Sequence, residues 1–376
     1  MARVLFVEPF YGGSHRAFLD GLVEHTCHKF ELLTLPEGEW RRRMRRGAQE
    51  LASLSHGLEG TFDCLIASDM LDLPVFLALT RPRFERTPVC IYFHENQMTY
   101  PRLKGTKFNS WFGQINYVSA LAADSVAFNS EFHRQDFFAA LRSLQTQPNN
   151  WLLSASLDAV EAKSTVLPVG VALDWLDTIP PDGRSSAGPR TLLWNHRWEF
   201  DKAPELLVRA LRHARSQGWP FKLIVVGEPG DNPSEAMTRL PEEFPEELLH
   251  FGYAESRTDY GRLLKRADIA VSTTRHEFFG IAMIEAMAAR CVPLAPRRYN
   301  YPALVPQEHH RRLLWEDEGQ LFEHLGALLT GPLPDRRRFQ QAAKSYSWPK
   351  VAPVWNRYIN RLSCGENATE CRGSPH

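Results

Sequence analysis

Residues 276–288 read HEFFGIAMIEAMA and follow an apolar run, 267–272, that is typical of a buried strand. The pattern predicts a helix that begins near Glu277 and carries a second carboxylate at Glu285. On one helix these carboxylates would lie about 12 Å apart along the axis, because each residue rises about 1.5 Å. That distance exceeds the roughly 5–9.5 Å that separates two carboxylates acting on one reacting bond.

The start of this predicted helix is suited to an anion. Free backbone N–H groups and the positive end of the helix dipole meet at a helix N-terminus. With Glu277 near one end and Glu285 deeper in the helix, the layout favours a ligand with two polar ends joined by a diphosphate. A nucleotide sugar has this layout, with sugar, diphosphate and ribose in order.

The composition is that of an ordinary globular protein long enough for two domains, with 376 residues. Lys+Arg and Asp+Glu are equal at 44 each, so any nucleic-acid surface must be local. The six cysteines lack CxxC spacing, and the four in or beside apolar segments are expected to be reduced core residues. With no signal-like N-terminus and no stretch near the ~20 apolar residues of a membrane span, we expect a cytoplasmic protein without membrane contact.

Short apolar runs alternate with helical patterns along both halves of the chain. Such repeated strand–helix units predict an α/β fold with parallel sheets covered on both faces. The strands are predicted at 4–7, 30–35, 64–67, 89–93, 125–128, 165–167, 191–194, 221–226, 248–251, 269–272, 292–295 and 312–314.

A segment rich in Pro, Gly and Ser divides the pattern into two domains. The predicted organisation is an N-terminal domain, a linker, a C-terminal domain, a helix crossing back to the N-terminal domain and a disordered tail: 1–178, 179–189, 190–345, 346–362 and 363–376. Ligands of parallel sheets bind beyond the carboxyl ends of strands, so we expect the site in a cleft between the two domains.

The first candidate loop is PFYGGSH, residues 9–15, after the first predicted strand. Gly12 and Gly13 let the backbone approach a ligand, and the following helix presents its N-terminus. The loop could equally be only a tight turn, but Ser14 and His15 add polar groups that suit an acceptor.

The second candidate loop is HENQ, residues 94–97, at the end of the fourth predicted strand. His94 can hydrogen-bond a sugar hydroxyl or a transferring oxygen, and Glu95 and Asn96 can bind an acceptor. The alternative is a loop whose Asn and Glu cap the next segment. We favour the functional interpretation because His and Glu at the carboxyl end of a buried strand face the expected ligand side.

The third candidate loop is WNHRWEFDK, residues 194–202, after the first strand of the second half. Arg197 and Lys202 could neutralise a diphosphate, Arg as a planar fork and Lys as a point charge. Such cations would stabilise a leaving diphosphate as a bond breaks. The alternative is an exposed loop in which Asp201 and Lys202 lie near a helix cap.

Five arginines follow Trp40 without an intervening acid: Arg41, Arg42, Arg43, Arg45 and Arg46. On a helix these cations would cover most of the surface, and Trp40 could stack on a base. A basic patch with an aromatic residue is typical of nucleic-acid binding, although charge runs are usually only solvated faces.

The second half resembles the retaining GT-B glycosyltransferases of the family 4 type. Their hallmark is Glu-x7-Glu, here Glu277 to Glu285, with an upstream Arg and Lys, here Arg197 and Lys202. From residue 4 to about 348 the chain is more closely similar to the tRNA-queuosine α-mannosyltransferase group. The segments that carry this resemblance are 10–15, 92–97, 128–130, 196–199, 201–202 and 276–280.

The resemblance implies a GT-B fold of two Rossmann-like domains. It also implies transfer of mannose from GDP-mannose to the queuosine of a tRNA anticodon, that of tRNA-Asp, giving an α-linked product with retained configuration. It favours the arginine run as a tRNA surface. It implies no metal or other cofactor beyond the donor substrate, and the chain has no Asp-x-Asp motif.

The resemblance also implies roles for single residues. Glu277 would hold sugar hydroxyls and Glu285 the donor ribose, while His94 would contact the transferring sugar. Arg197 and Lys202 would bind the diphosphate. The diphosphate would also be helped by backbone amides or close backbone approach at Phe278, Phe279, Gly280, Gly12 and Gly13.

The pair Phe278-Phe279 departs from the broad family, which usually has a small residue after the first Glu, but it matches the queuosine group. Two alternatives stay open. One is a GT-B enzyme that uses another sugar nucleotide or a lipid or metabolite acceptor. The other, of a different class, is a tRNA-binding protein without turnover.

Overall fold

The computed structural model describes residues 1–101, 110–147, 152, 154–180, 188–230 and 234–365. The chain divides into two compact units. The first is built from Met1–Tyr100, Gly105–Gly170 and Trp348–His376, and the second on Val171–Ser347. The predicted linker falls mainly on residues 181–187, and most of the predicted tail on 366–376; both lie outside the described residues.

The first unit contains a six-stranded parallel sheet with the order β2-β1-β3-β4-β5-β6. Its strands are β1 (Arg3–Tyr11), β2 (Lys29–Pro36), β3 (Cys64–Ser68), β4 (Val89–Phe93), β5 (Ser125–Phe128) and β6 (Ser164–Val166). Every residue of β3, β4 and β5 is buried, as a parallel sheet covered on both faces requires. The apolar runs therefore become the centre of the sheet.

Helices connect these strands in the first unit. They are α1 (Gly13–His25), α2 (Trp40–Leu54), α3 (Leu73–Leu79), α4 (Ser110–Ala122), α5 (Glu131–Gln145) and α6 (Ser154–Ala162). The core beneath α5 is aromatic, since Phe93 stacks on Phe128 with ring centroids 5.0 Å apart. Ser130 caps α5 by accepting a hydrogen bond from the His133 N–H at 3.1 Å.

The second unit contains another six-stranded parallel sheet, with the order β12-β11-β10-β7-β8-β9. Its strands are β7 (Arg190–Trp194), β8 (Phe221–Val226), β9 (Leu248–Gly252), β10 (Ile269–Val271), β11 (Val292–Pro296) and β12 (Leu314–Trp315). Its helices are α7 (Trp175–Thr178), α8 (Pro204–Ser216), α9 (Glu235–Thr238), α10 (Leu240–Glu243), α11 (Arg257–Arg266), α12 (Ile281–Ala288), α13 (Tyr301–Leu304), α14 (His310–Leu313), α15 (Glu318–Thr330) and α16 (Arg336–Lys344).

The last helix, α17 (Trp348–Ser363), belongs to the first unit. It packs on α1, where a Cβ at Gly21 would lie only 2.2 Å from the Trp348 Nε1 atom. The indole N–H of Trp355 donates to the Pro168 carbonyl at 3.0 Å. This helix occupies the region of the predicted helix 346–362.

Two sequence-based assignments are wrong. The helix expected from Glu277 begins instead at Ile281, because Gly280 has a left-handed φ of 99° that an α-helix cannot contain. The strand expected at 312–314 is displaced to Leu314–Trp315, since residues 310–313 form a helical turn. No helix in the described part of the chain combines the length and apolar character needed to cross a bilayer.

Candidate active site

Two loops of the second unit lie side by side, because β7 and β10 are neighbouring parallel strands. The Thr273 hydroxyl donates to the Lys202 carbonyl at 2.8 Å and accepts from the Trp194 indole at 3.1 Å. The Thr274 hydroxyl donates to the Asp201 carbonyl at 3.0 Å. These bonds join the loop after β7 to the loop after β10.

Lys202 is the best-fixed cation of this site, with a side chain only 13% exposed. Its Nζ atom lies 3.0 Å from an Asp201 oxygen and 3.6 Å from a Glu277 oxygen. Burial favours the neutral amine, but Glu277 and Asp201 outweigh it and raise the pKa of Lys202. Lys202 therefore stays charged, and the carboxylate of Glu277 is directed to it.

Arg197 differs from Lys202 in exposure, since 57% of its side chain is accessible. It pairs with Glu199 at 3.1 Å, and burial raises the pKa of the Glu199 carboxyl. An exposed arginine can turn its planar fork toward a phosphate. The loop after β7 thus offers one fixed and one adaptable cation.

Glu277 lies in a turn that the protein holds with its own polar groups. The Phe279 N–H donates to a Glu277 oxygen at 3.4 Å, and the Asn300 amide donates to the Phe279 carbonyl at 2.8 Å. A Cβ at Gly280 would lie 2.8 Å from Leu304 Cδ1, so a larger residue would have to move the end of that side chain as well as adopt an unfavourable φ. The 12 Å spacing along one helix consequently does not apply.

The side chains of Phe278 and Phe279 pack inside the second unit. Phe279 meets Tyr346 edge-on at 5.6 Å, and Phe278 meets His276 edge-on at 4.2 Å. Both phenylalanines are buried, so their backbone rather than their rings is the part suited to a polar ligand. The predicted amide contacts to a diphosphate stay a prediction.

Two histidines near Lys202 are neutral. Burial, together with the Lys202 charge, lowers the pKa of His196 to about 3 and that of His276 to about 4. They add polarity without positive charge. The close packing of this loop also requires Gly227, where a Cβ would lie 1.9 Å from the His196 carbonyl oxygen.

Glu285 lies in α12, where burial raises the pKa of its carboxyl to about 7. One of its oxygens accepts a hydrogen bond from the Tyr260 hydroxyl at 2.9 Å. Tyr260 lies outside the motifs that the sequence indicates for the site.

The first unit has its own polar cluster, centred on Glu8 in β1, which is fully buried. One Glu8 oxygen accepts from the Phe10 N–H at 2.8 Å and from the Ser68 hydroxyl at 2.9 Å. The other oxygen lies 3.2 Å from His15 Nδ1. The sequence motifs do not include Glu8, although an acid inside an apolar strand is costly unless it is paired.

His15, in the first turn of α1, is buried and lies between acidic groups. Burial alone would lower the pKa of His15, but Glu8, with Asp69 and Glu95, raises it to about 9. Asp69 is fully buried as well, and burial raises the pKa of its carboxyl well above the usual range. The cluster therefore contains a protonated histidine and a carboxyl that titrates far above an ordinary aspartate.

His94 follows β4 and lies directly against His15, with ring centroids 4.2 Å apart. Its N–H donates to Asp69 at 2.8 Å, and its carbonyl accepts from the Asn129 amide at 2.8 Å. Burial and the His15 charge hold the pKa of His94 well below its usual range. Its Nε2 atom is buried and has no hydrogen-bond partner among the described residues, so its hydrogen-bonding capacity is unfilled.

The rest of the HENQ loop is partly engaged in local structure. The Asn96 oxygen accepts from the Met98 N–H at 3.0 Å and from the Thr99 N–H at 3.1 Å, which is a capping arrangement. Glu95 accepts from the Gln97 amide at 2.9 Å. The capping alternative thus describes Asn96 well, and acceptor contacts of Glu95 and Asn96 stay predictions.

The two glycines of the first loop have different structural needs. Strand β1 extends through Tyr11, beyond the predicted 4–7, so only Gly12 and Gly13 separate it from the helix interior. A Cβ at Gly12 would collide with the Glu37 side chain at 2.2 Å, and Gly13 has a φ of 50°. These features explain the glycines as a tight turn, and ligand contact stays a prediction.

Glu8, His15 and His94 bring ligand-type atoms within 4.8 Å of one another, the arrangement within the described ranges that most suits a metal ion. The Glu8 oxygens are already hydrogen-bonded to protein donors. A histidine that Glu8 keeps protonated is also a poor ligand. The cluster therefore fits proton binding better than metal binding.

The arginine run lies on α2, and its members are not equivalent. Arg43 is only 14% exposed, donates to the Pro36 carbonyl at 2.7 Å and pairs with Glu50 at 3.5 Å. Arg43 is therefore engaged by Glu50, an acid on the same helix beyond the run, and is not free for a ligand as an exposed arginine would be. The other four arginines are exposed: Arg41, Arg42, Arg45 and Arg46.

Aromatic residues border these four arginines. Trp40 is partly buried against Phe112, with ring centroids 5.1 Å apart, and Arg41 lies over its ring at 4.7 Å. Arg45 lies 5.5 Å from the ring of Trp111, which is 42% exposed. Trp111 is thus a more accessible stacking surface than Trp40. The sequence had suggested Trp40 for this role.

Comparison with known proteins covers both units. Residues 3–171 match the family described as tRNA-queuosine alpha-mannosyltransferase N-terminal, and residues 177–346 match glycosyl transferases group 1. Sucrose-phosphate synthase from Thermosynechococcus elongatus has a similar structure, with a TM-score of 0.69 at 14% identity over 97% of this chain and 100% of that one. These findings confirm the predicted GT-B fold.

Two curated relatives are mannosyltransferases. The GDP-mannose:cellobiosyl-diphosphopolyprenol alpha-mannosyltransferase of Xanthomonas oryzae is 25% identical over 58% of this chain and 52% of its own length. The tRNA-queuosine alpha-mannosyltransferase of Drosophila melanogaster is 30% identical over 95% of this chain and 97% of its own length. The chain therefore belongs to the tRNA-queuosine α-mannosyltransferase family and is a glycosyltransferase.

Proposed function

We propose that the protein transfers mannose from GDP-mannose to the queuosine nucleoside of tRNA, with retention of the anomeric configuration. The observation that carries the proposal is the similarity to the Drosophila protein along nearly the whole chain. The fixed Lys202–Glu277 pair, with Nζ and carboxylate oxygen 3.6 Å apart, supports a donor that has both a diphosphate and a sugar.

The mechanism assigns a task to each group of the second unit. Lys202 and Arg197 stabilise the negative charge that develops on the leaving diphosphate, with help from backbone amides at 278–280. Glu277 binds sugar hydroxyls, and Glu285 binds the ribose. The acceptor hydroxyl attacks the anomeric carbon from the face of the leaving group, and a phosphate oxygen takes its proton.

The first unit supplies neutral and charged hydrogen-bonding groups. His94 has a low pKa and an unpartnered Nε2, which suits a hydrogen bond to a sugar hydroxyl. His15, held as a cation by Glu8, suits a hydroxyl or anionic oxygen of the acceptor. The exposed arginines of α2 and Trp111 suit tRNA phosphates and an unstacked base.

The deciding experiment incubates the protein with GDP-[¹⁴C]mannose and tRNA-Asp, either containing queuosine or carrying guanosine at the same position. We expect label in the queuosine-containing tRNA alone. UDP-[¹⁴C]glucose serves as the control donor and should give no label. Label in neither tRNA, with GDP-mannose still bound, would contradict the assigned acceptor.

A polyprenol acceptor is the second candidate, because the Xanthomonas relative is named for one. The same incubation with a polyprenyl-diphosphate glycan in place of tRNA tests it. Label in the lipid fraction would favour this candidate. Tight tRNA binding with no transfer to either acceptor would instead favour a binding protein without turnover.

A further inference from the structure

A chain of hydrogen bonds ends on Glu285. The Asn195 amide donates to the Tyr260 hydroxyl at 3.1 Å, and this hydroxyl donates to a Glu285 oxygen at 2.9 Å. Since the amide nitrogen of Asn195 can only donate, it leaves the Tyr260 proton directed at the carboxylate. The other Glu285 oxygen has no hydrogen-bond partner among the residues that the structure describes.

Asn195 and Tyr260 are each held in place by a further contact. Asn195 follows β7 and also donates to the Ala282 carbonyl in α12 at 2.9 Å, which joins the loop to the helix. The ring of Tyr260, in α11, stacks on Trp175 with centroids 6.1 Å apart. Arg257 covers the same indole at 4.7 Å. The hydroxyl of Tyr260 therefore cannot follow Glu285 if the carboxylate rotates.

We propose that Tyr260 and Asn195 are positioning residues for nucleotide binding: they hold one oxygen of Glu285 so that the other faces the vicinal hydroxyls of the donor ribose. This inference rests on the proposed function, which gives Glu285 the ribose. A carboxylate that is held at one oxygen loses less freedom when it binds a diol. The hydrogen bond from Tyr260 also favours the ionised form, against the burial that raises the pKa of Glu285 to about 7.

A purely structural role makes a different prediction. If Tyr260 only filled space between α11 and α12, removing its hydroxyl would weaken the binding of all nucleotides equally, or would weaken the binding of none. If it acts through Glu285 on the ribose, the loss must depend on the 2′ and 3′ hydroxyls of the ligand. The two roles are therefore separated by changing the protein and the ribose together.

The experiment measures binding of GDP and 2′,3′-dideoxy-GDP by calorimetry to the wild type and to Tyr260→Phe, which keeps the ring on Trp175. We expect Tyr260→Phe to weaken the binding of GDP by about 5–10-fold, the size of one typical hydrogen bond. Binding of dideoxy-GDP should change by less than about twofold. In a Glu285→Gln background, Tyr260→Phe should have no further effect on GDP.

Tyr358→Phe is the matched control, because Tyr358 is another buried tyrosine whose hydroxyl bonds a side chain, Ser125, at 2.9 Å, in the first unit. It should leave both affinities unchanged. Equal losses for GDP and dideoxy-GDP in Tyr260→Phe, or no loss at all, would overturn the inference.

The same four titrations are run with UDP and dideoxy-UDP, so that the inference and the proposed donor can fail separately. Loss of ribose discrimination with UDP alone would uphold the inference and contradict GDP-mannose as donor. A wild type that does not distinguish ribose from dideoxyribose with either base would overturn the inference.

Discussion

In the second unit a lysine lies between two carboxylates, whereas in the first unit two carboxylates lie among histidines. Lys202 is paired with opposite charges in the folded protein and stays a cation. Glu8 and Asp69 are buried, with the pKa of Asp69 raised and that of the neighbouring His15 at about 9. One site is therefore preorganised for an anion and the other for groups that exchange protons or share hydrogen bonds.

Glu277→Ala should strongly weaken catalysis at the second-unit site. Lys202 would then pair with Asp201 alone, and the sugar would lose its carboxylate partner. We expect kcat for mannosyl transfer to fall by about 10²–10³-fold or more. The measurement is a single-turnover transfer assay, with far-UV circular dichroism as the control for folding. Near-normal activity would show that the site is wrongly assigned.

Replacing each cation by Met separates the fixed cation from the adaptable one. Lys202→Met leaves two carboxylates near each other without their cation, and we expect a loss of about 3 kcal/mol in unfolding free energy. Arg197→Met should change the unfolding free energy by less than about 0.5 kcal/mol, because its ion pair is exposed. Both should weaken GDP binding. Urea denaturation with GDP titration is the measurement, and equal stability of the two variants would contradict the distinction.

Glu285→Gln tests whether the buried carboxylate of Glu285 lowers the stability of the folded protein. The folded pKa of Glu285 is about 7, above the ordinary 4.5, so the folded state holds its proton longer than the unfolded state. Stability is therefore lost as the pH rises from 4.5 through 7. At pH 8 the Gln variant should be more stable than the wild type by about 3 kcal/mol, and at pH 4 equal to it. Thermal or urea unfolding at both pH values measures this, with weaker GDP binding as the accompanying loss.

The exposed arginines of α2 form a third surface. Binding of tRNA to this surface should depend on salt concentration more strongly than ligand binding at either buried site. Charge reversal of Arg42, Arg45 and Arg46 to Glu should weaken tRNA binding by about 10–100-fold at low salt and flatten the dependence of log K on log salt. Arg43 is left intact because it holds Pro36 and Glu50. The control reverses three exposed arginines elsewhere: Arg86, Arg311 and Arg337. Equal losses in both triple variants would mean general repulsion rather than a binding surface.

The sheets could be predicted from sequence better than the sites. The apolar runs 89–93, 125–128 and 221–226 are strands with those bounds. They are easy to find because a strand that is buried on both faces consists mostly of apolar residues. The apolar pattern predicted a helix at Glu277. Such a pattern contains no information on the left-handed backbone of Gly280 or on the hydrogen bond from Asn300. The local turn there depends on residues about twenty positions apart.

The sequence indicated only the two histidines of the first-unit cluster, because the cluster joins residues that are far apart along the chain. His15 and His94 could be found because they follow apolar runs, but their partners are single acids on two other strands: Glu8 lies within β1, and Asp69 directly follows β3. Only the order of the sheet, which places β1, β3 and β4 side by side, brings these residues together. An acid near the end of an apolar strand is nevertheless a signal that sequence reading can use, since its burial must be compensated.

The charge of His15 in the first-unit cluster can be tested by changing Glu8. Glu8→Gln removes the charge that faces His15, while Asp69, Glu95 and His94 still surround it. Burial should then dominate, and the pKa of His15 should fall by about two units or more. The measurement is an NMR titration of ¹³C-labelled histidine, with His310, which bonds the Val305 carbonyl at 2.8 Å in the second unit, as the internal control. If His15 kept a pKa near 9 in this variant, Glu8 would not be what makes it a cation, and the contrast between the two sites would rest on Asp69 and Glu95 instead.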